Sequence, residues 1–354
     1  MDFLYETCPY FESDESGTVL DHMRRGMHFL TTERGERGLC LWGGGDWNDS
    51  INTAGMNGKG ESVWLTIATV KALKVFAKIL QHIHQDSEAA DWLEKAETLT
   101  AAVRRYGWDG EHYLYGYTDW DEKVGSDENA EGQIYLNPQT WAVLAGIATG
   151  EDGHALMDRV EKRLHCPYGY VQCAPSYTKG DPHIGRSTYF VPGCVENGSV
   201  YNHGVTFKIA ADCALGRAED AYRTVCEILP DNPELIDCGV EPYAMTNMYL
   251  GPENPHAPKW APCSWITGTA GWMYRCITEY LLGVNADFDG LRLTPCIPPE
   301  LDGTQVTRRY RGATYRITIR RGDHPMVCDG VEIDGDTLPL FPADTQHTVT
   351  VYCK

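Results

Sequence analysis

Apolar residues recur with helical spacing in eight segments of the chain, and this repeat is the strongest constraint on its fold. The clearest segment covers residues 61–85, and a second helix over 87–106 follows after a short turn. Long stretches rich in Gly, Pro, Asn and aromatic residues separate the helices, and loops of this length usually carry function. The other predicted helices cover residues 17–34, 137–149, 151–164, 204–216, 217–229 and 267–283, and the long loops cover 40–60, 107–136, 166–203 and 231–266.

Paired helices that alternate with long loops predict an (α/α)6-type barrel with the loops at one end. Eight helices are fewer than the twelve of a closed six-hairpin barrel, so we expect the barrel to be incomplete. After residue 285 the pattern changes to period-two alternation, with Asp-Gly turns at 329–330 and 334–335. The sequence therefore predicts a mainly α protein with a helical barrel-type catalytic domain over 1–285. A small antiparallel β domain is predicted over 286–354.

Composition narrows the possible partners. The 354 residues carry a net charge of −20 with a pI near 4.9, which argues against nucleic acid and anionic membranes. Thirteen Cys without a Cys-x-x-Cys pair indicate reduced thiols, a cytoplasmic location and no metal site. Residues 1–6 lack the basic start and apolar run of a signal peptide. Ten Trp and twenty Tyr suit a sugar-binding cleft.

The loop Gly43–Asn52 contains the chain's most informative motif, Asp46-Trp47-Asn48-Asp49, directly after three glycines. Glycines allow a sharp turn and close approach to a ligand. The indole offers a face for a sugar ring, and a carboxyl group can exchange a proton with a glycosidic oxygen. The alternative interpretation is a polar surface turn.

Two further motifs are predicted to precede or begin helices. Glu196 and His203 lie on a segment leading into the helix near residue 204, where a His adds to the local positive field. The segment Thr267–Trp272 offers hydroxyl and N–H groups that can hold phosphate. The alternatives are a capping loop with a structural His and simple N-capping by the threonines. Arg186 and Lys179 could face an anionic ligand, but we interpret them as solvated loop residues.

These three motifs, in this order, resemble the inverting β-glycoside phosphorylases of the cellobiose phosphorylase family, glycoside hydrolase family 94. The resemblance covers about residues 17–320 and includes the closing segment Gly290–Pro298. It implies that Asp49 is the general acid and that inorganic phosphate is a co-substrate, with no cofactor. It also implies that His203, Thr267 and Gly268 hold phosphate, while Trp47 and Glu196 contact the sugars.

The implied reaction is phosphorolysis of a β-linked disaccharide, cellobiose-like, cellobionate or chitobiose. Phosphate attacks the anomeric carbon and gives an α-sugar 1-phosphate and a free sugar. An inverting hydrolase would need a second carboxylate to activate water, for which Asp46 and Glu196 are candidates. A third hypothesis is a truncated carbohydrate-binding protein without activity alone.

The chain departs from the family in two respects. Ser50-Ile51 follows the acidic motif where the family has Gly-Met. Family members are more than twice as long, and the part ahead of the acidic motif supplies an arginine to phosphate and an aspartate to the donor sugar. The chain thus resembles the C-terminal part of such an enzyme. We expect it to form a homodimer or to associate with a missing N-terminal half.

Overall fold

The computed structural model describes all residues 1–354, of which 37% are helical and 20% lie in strands. The eight predicted helices are confirmed. They are α1 (Val19–Thr32), α2 (Val63–His82), α3 (Asp86–Ala102), α4 (Leu136–Leu144), α5 (Gly150–Leu164), α6 (Asn202–Ala214), α7 (Ala218–Ile228) and α8 (Thr269–Arg275). π-helical turns extend α3 and α8 over Val103–Gly107 and Cys276–Leu281, and 3-10 turns cover Asp2–Tyr5, Arg186–Tyr189, Pro233–Leu235 and Pro299–Leu301.

The predicted long loops contain strands of two residues each, which sequence periodicity cannot reveal at that length. The strands before residue 285 are β1 (Thr7–Pro9), β2 (Ser16–Thr18), β3 (Cys40–Leu41), β4 (Glu61–Ser62), β5 (Gly116–Tyr117), β6 (Lys123–Val124), β7 (Ile134–Tyr135), β8 (His165–Cys166), β9 (Gly169–Tyr170), β10 (Cys173–Ala174), β11 (Val200–Tyr201) and β12 (Met248–Tyr249). Those that follow are β13 (Val284–Ala286), β14 (Gly290–Leu293), β15 (Gln305–Tyr310), β16 (Ala313–Arg321), β17 (Met326–Cys328), β18 (Val331–Ile333), β19 (Thr337–Pro339) and β20 (Gln346–Cys353).

The chain divides into two compact units. The first contains residues 1–147 and 177–190, and the second contains residues 148–176 and 191–354. The predicted boundary at residue 285 marks a change from helices to strands inside the second unit. As a domain boundary it stays a prediction.

In the first unit, α2 is the central helix. The Ser62 side chain caps it by accepting from the Leu65 amide at 2.9 Å. Apolar residues such as Ile67 and Leu73 are fully buried along it, and α3 packs beside it after a short turn. Strands β3, β4, β5 and β6 form an antiparallel sheet in that order, so the segment 42–60 is the connection between β3 and β4.

In the second unit, α6 is buried on every face, with ten consecutive or near-consecutive residues inside the core. Helix α7 packs along it, and α8 and its π-helical extension contact it as well. A helix buried all round must be the centre of its layer, because no face is left for water.

The strands from Val284 onward form two sheets in the second unit. The smaller has the order β13-β14-β19, and the larger has the order β15-β16-β20-β17-β18. The prediction of an antiparallel unit is wrong at one position, because β16 and β20 pair in parallel over residues 314–321 and 346–353. A parallel pair needs a long connection, and residues 322–345 supply it while contributing three further strands.

No helix of the structure combines the length and the apolar composition that crossing a membrane would require.

Candidate active site

The acid loop, defined as residues 43–53, is held at its base by Trp42. This side chain is 2% exposed, donates its indole N–H to the Tyr117 carbonyl at 2.9 Å and stacks on Tyr115 at 5.4 Å between ring centroids. Glycine at 116 is required here, since a Cβ atom would lie 2.6 Å from the Trp42 ring. Gly45, with φ of +132°, adopts a backbone conformation that favours glycine.

The two carboxylates of the motif have different surroundings. The Asp49 side chain is 82% exposed, whereas the Asp46 carboxylate accepts hydrogen bonds from Ser62 Oγ at 2.7 Å and the Asn48 amide at 2.9 Å. The Tyr115 hydroxyl donates a third at 3.0 Å. Burial raises the pKa of Asp46 to about 6. Asp49 is thus the carboxylate that a substrate could reach, and Trp47 lies half-buried between the two.

Arg186 contacts the acid loop, and its side chain is 62% exposed, as we expect of a solvated loop residue. Its guanidinium Nη2 donates to the Asp49 carbonyl at 3.1 Å and lies 3.9 Å from the Asp49 carboxylate. Its amide donates to the Asn52 side chain at 3.0 Å, and the Ser187 amide donates to the Ser50 carbonyl at the same distance. The sequence held no signal for this contact, since 137 residues separate the partners.

In the second unit, three of the residues predicted to hold phosphate lie together. A Cβ atom on Gly268 would lie 3.1–3.4 Å from three atoms of the His203 ring, so the imidazole packs directly on this glycine. Thr267 Oγ1 donates to Asn247 Oδ1 at 3.1 Å, and the Thr269 amide donates to Thr267 Oγ1 at 3.0 Å. His203, Thr267 and Gly268 therefore form one cluster, which we call the His203 cluster.

The charge expected at His203 is corrected by the structure. Burial lowers the pKa of this imidazole, so the neutral ring is favoured at neutral pH and contributes hydrogen-bonding groups rather than positive charge. Its ring packs against Phe207 at 5.0 Å and Trp272 at 6.2 Å between centroids. His203 is the second residue of α6 instead of part of the segment that leads into it, and Thr267 and Gly268 precede α8 instead of lying in it.

Glu196 is 5% exposed and belongs to the second unit, in the segment that precedes α6. Its carbonyl accepts from Cys173 Sγ at 3.5 Å, and Val195 beside it has a φ of +50°. The role of Glu196 as a sugar contact stays a prediction.

The first unit thus carries an exposed carboxyl group beside a tryptophan on a glycine loop, and the second unit carries a compact His–Thr–Gly cluster. Each is a feature that suits a carbohydrate-active protein. The chain belongs to the glycosyl hydrolase 94 superfamily, whose catalytic domain matches residues 1–283. The family that the three motifs indicate is therefore confirmed.

Curated relatives agree with this family. The chain is 46% identical to the solabiose phosphorylase of Paenibacillus borealis, over 99% of this chain and 46% of the relative. It is 37% identical to the cellobionic acid phosphorylase of Neurospora crassa, over 90% of this chain and 41% of the relative. It is 32% identical to the N,N'-diacetylchitobiose phosphorylase of Vibrio proteolyticus, over 99% of this chain and 44% of the relative. The chain spans about half the length of the curated relatives it matches.

Solved structures share the fold at low sequence identity. A sialidase superposes with a TM-score of 0.52 at 14% identity, over 79% of this chain and 25% of the sialidase. A family 78 rhamnosidase of Bacillus sp. GL1 superposes with a TM-score of 0.50 at 15% identity, over 95% of this chain and 32% of the rhamnosidase.

Proposed function

We propose that this chain takes part in the inverting phosphorolysis of a β-linked disaccharide, with Asp49 as general acid. The observation that carries the proposal is the contrast between the exposed Asp49 and the three-fold hydrogen-bonded Asp46 on one loop. Phosphorolysis needs a single carboxyl group, which protonates the glycosidic oxygen, because phosphate is itself a charged nucleophile. Three relatives are named as solabiose, cellobionic acid and N,N'-diacetylchitobiose phosphorylases, which supports the same reaction class.

The remaining roles follow from the two clusters. His203, Thr267 and Gly268 would bind inorganic phosphate through their ring, hydroxyl and amide hydrogen-bond donors, without a cofactor or metal. Trp47 would stack on a sugar ring, and Glu196 would accept hydrogen bonds from sugar hydroxyls. Family membership supports an (α/α)6-type barrel for the helices, and a cytoplasmic location and assembly as a homodimer or with further chain stay predictions.

A hydrolytic mechanism with Asp46 as the base is less well supported. A general base must be able to reach the water that it activates, whereas both oxygens of this carboxylate already accept hydrogen bonds from the protein. Glu196, the other candidate base, is almost fully buried.

The test is release of a sugar 1-phosphate from β-linked disaccharides with and without inorganic phosphate. Solabiose, cellobionic acid and N,N'-diacetylchitobiose form the first panel, because relatives are named for them. Asp49→Asn should abolish release, while Asp334→Asn, a control at an exposed turn, should leave it unchanged. Products that form without phosphate would indicate a hydrolase, and binding without turnover would indicate a carbohydrate-binding protein.

A further inference from the structure

We propose that Asp46 is a positioning residue for Asp49, because the three hydrogen bonds that its carboxylate accepts tie the acid loop to the rest of the first unit. This inference rests on the proposed function only for the role of Asp49 as general acid. The holding of the loop is a separate claim that can be measured without turnover.

The contacts of Asp46 connect three parts of the first unit. One donor is the Asn48 amide within the loop, the second is Ser62 at the start of α2, and the third is Tyr115 next to β5. Asn48 is fully buried, and its Oδ1 accepts from the Ser50 hydroxyl at 2.6 Å and the Ser50 amide at 3.2 Å. The backbone amides on both sides of Asp49 are therefore held by side chains: that of Asn48 by Asp46, and that of Ser50 by Asn48.

Ser62 links this network to the helix. Its hydroxyl donates to Asp46 and accepts from the Leu65 amide, so its single proton is committed to the carboxylate. An asparagine at position 46 would leave the Ser62 proton without that acceptor, while it would keep the size of the side chain. The substitution therefore removes the charge and one specific contact, with little change in volume.

The charged groups around Asp46 do not neutralise it. All three of its donors are neutral. Glu61, beside Ser62, is occupied with Arg37, whose guanidinium lies 3.0 Å from its carboxylate. Asp49 and Arg186 form the other charged pair at the outer end of the loop, 3.9 Å apart.

Burial raises the pKa of Asp46 from its usual value of 3.8 to about 6. The folded loop then binds the proton more tightly than an opened loop, in which the carboxylate would be hydrated. By linkage the loop is held best at low pH, loses closing free energy as the pH rises toward 6, and changes little above that. A difference of about two pKa units corresponds to as much as a hundredfold in the opening equilibrium.

At neutral pH the loop thus carries an ionised, buried carboxylate that costs stability. Asparagine would fill the same space without the charge. Costs of this kind concentrate where a side chain serves a site. Asp46 is three residues from Asp49. Its contacts support a role in fixing the position of that exposed acid.

The first experiment is hydrogen exchange of the acid loop in the full chain from pH 4.5 to 7.5, expressed as protection relative to intrinsic rates. Between pH 4.5 and 7.5 the wild-type protection should fall by about twentyfold to thirtyfold and level off above about pH 6, because the rest of the change lies below pH 4.5. Asp46→Asn should abolish this step. The matched control is Asp119→Asn, because Asp119 also accepts three hydrogen bonds, from the amides of Asn57, Lys59 and Gly60, but its pKa is lowered.

Variants of the side chains that donate to Asp46 test whether its titration causes the change in protection. Tyr115→Phe and Ser62→Ala each remove a donor that favours the ionised carboxylate, so each should move the step to higher pH. A merely structural role for the two side chains would lower protection at every pH without moving the step. A pH-independent wild-type loop, or a step that persists in Asp46→Asn, would overturn the proposal.

The second experiment connects the loop to turnover. Asp46→Asn should lower kcat about tenfold or more with little change in the KM for phosphate, because the acid is displaced while the His203 cluster is untouched. If Asp49→Asn keeps full activity, the proposed function fails, and the exchange result still decides the role of Asp46 in holding the loop. If Asp49→Asn is inactive while Asp46→Asn keeps the wild-type kcat and pH profile, the positioning role fails and the proposed function stands.

Discussion

The buried ion pair of α6 offers a quantitative test of how the second unit is stabilised. The ammonium of Lys208 pairs with the Asp212 carboxylate one turn along the helix, and neither side chain is exposed. The Lys208 ammonium also faces the Tyr170 ring at 4.8 Å, and Asp212 lies 3.2 Å from Arg217 Nε. Substituting Lys208→Met would leave the carboxylate buried with Arg217 as its remaining cation.

The expected loss in the free energy of unfolding is about 3 kcal/mol, at the lower end of the range for breaking a buried pair, because Arg217 stays in place. Burial already raises the pKa of Asp212, and removing the ammonium raises it further. A protonated Asp212 carries no charge that needs a partner. The loss in unfolding free energy of Lys208→Met relative to the wild type should therefore shrink as the pH falls from 8 to 5.

Urea unfolding followed by far-ultraviolet circular dichroism at several pH values measures this loss. The double variant Lys208→Met with Asp212→Leu should recover most of the stability, because it removes both buried charges, while Arg217 keeps Asp158 at 2.6 Å and Asp220 at 2.9 Å. A loss below about 1 kcal/mol in Lys208→Met, or a double variant equal to the sum of its singles, would refute the reasoning.

Three further predictions concern the site. Gly268→Ala should weaken phosphate binding, measured by calorimetry, because the added methyl group would press on the His203 ring at 3.1–3.4 Å. Position 268 is exposed, so the free energy of unfolding should change little. An unchanged affinity for phosphate would contradict this prediction. His203 should take up a proton when phosphate binds, because burial keeps its imidazole neutral in the free protein and a bound anion favours the charged form. Calorimetry in buffers of different ionisation enthalpy should detect this proton uptake in the wild type and not in His203→Asn. Arg186→Ala should change the unfolding free energy by less than about 1 kcal/mol, because its pair with Asp49 is exposed, and should lower kcat; a large stability loss would show a different role.

Sequence periodicity was sufficient for the helices because their signals are local. The apolar stripe of α2 and the cap at Ser62 lie within a few residues of one another, and the observed helix ends within three residues of the predicted limits. The family was likewise readable from three short motifs. The strands β3 to β6 were missed, since a pair of two residues has no periodicity and exists only because distant segments meet.

For the C-terminal strands, the sequence likewise predicts the strands but not how they pair. Period-two alternation after residue 285 predicts strands in this part of the chain, and the structure has them, with β16 (Ala313–Arg321) and β20 (Gln346–Cys353) the longest. Their parallel pairing was not predictable from alternation, because the same pattern suits a parallel or an antiparallel neighbour.

By itself, the sequence determined the helices, the family and the candidate acid Asp49, because each depends on residues that are neighbours in the chain. Tertiary structure alone decided that the Asp46 carboxylate accepts from three donors, that Arg186 lies against Asp49 and that His203 packs on Gly268. It also decided the charge of His203, through burial. Solvation and contacts between separate segments set these properties, for example across the 69 residues between Asp46 and Tyr115 and the 137 between Asp49 and Arg186, and no local pattern of residue types encodes them.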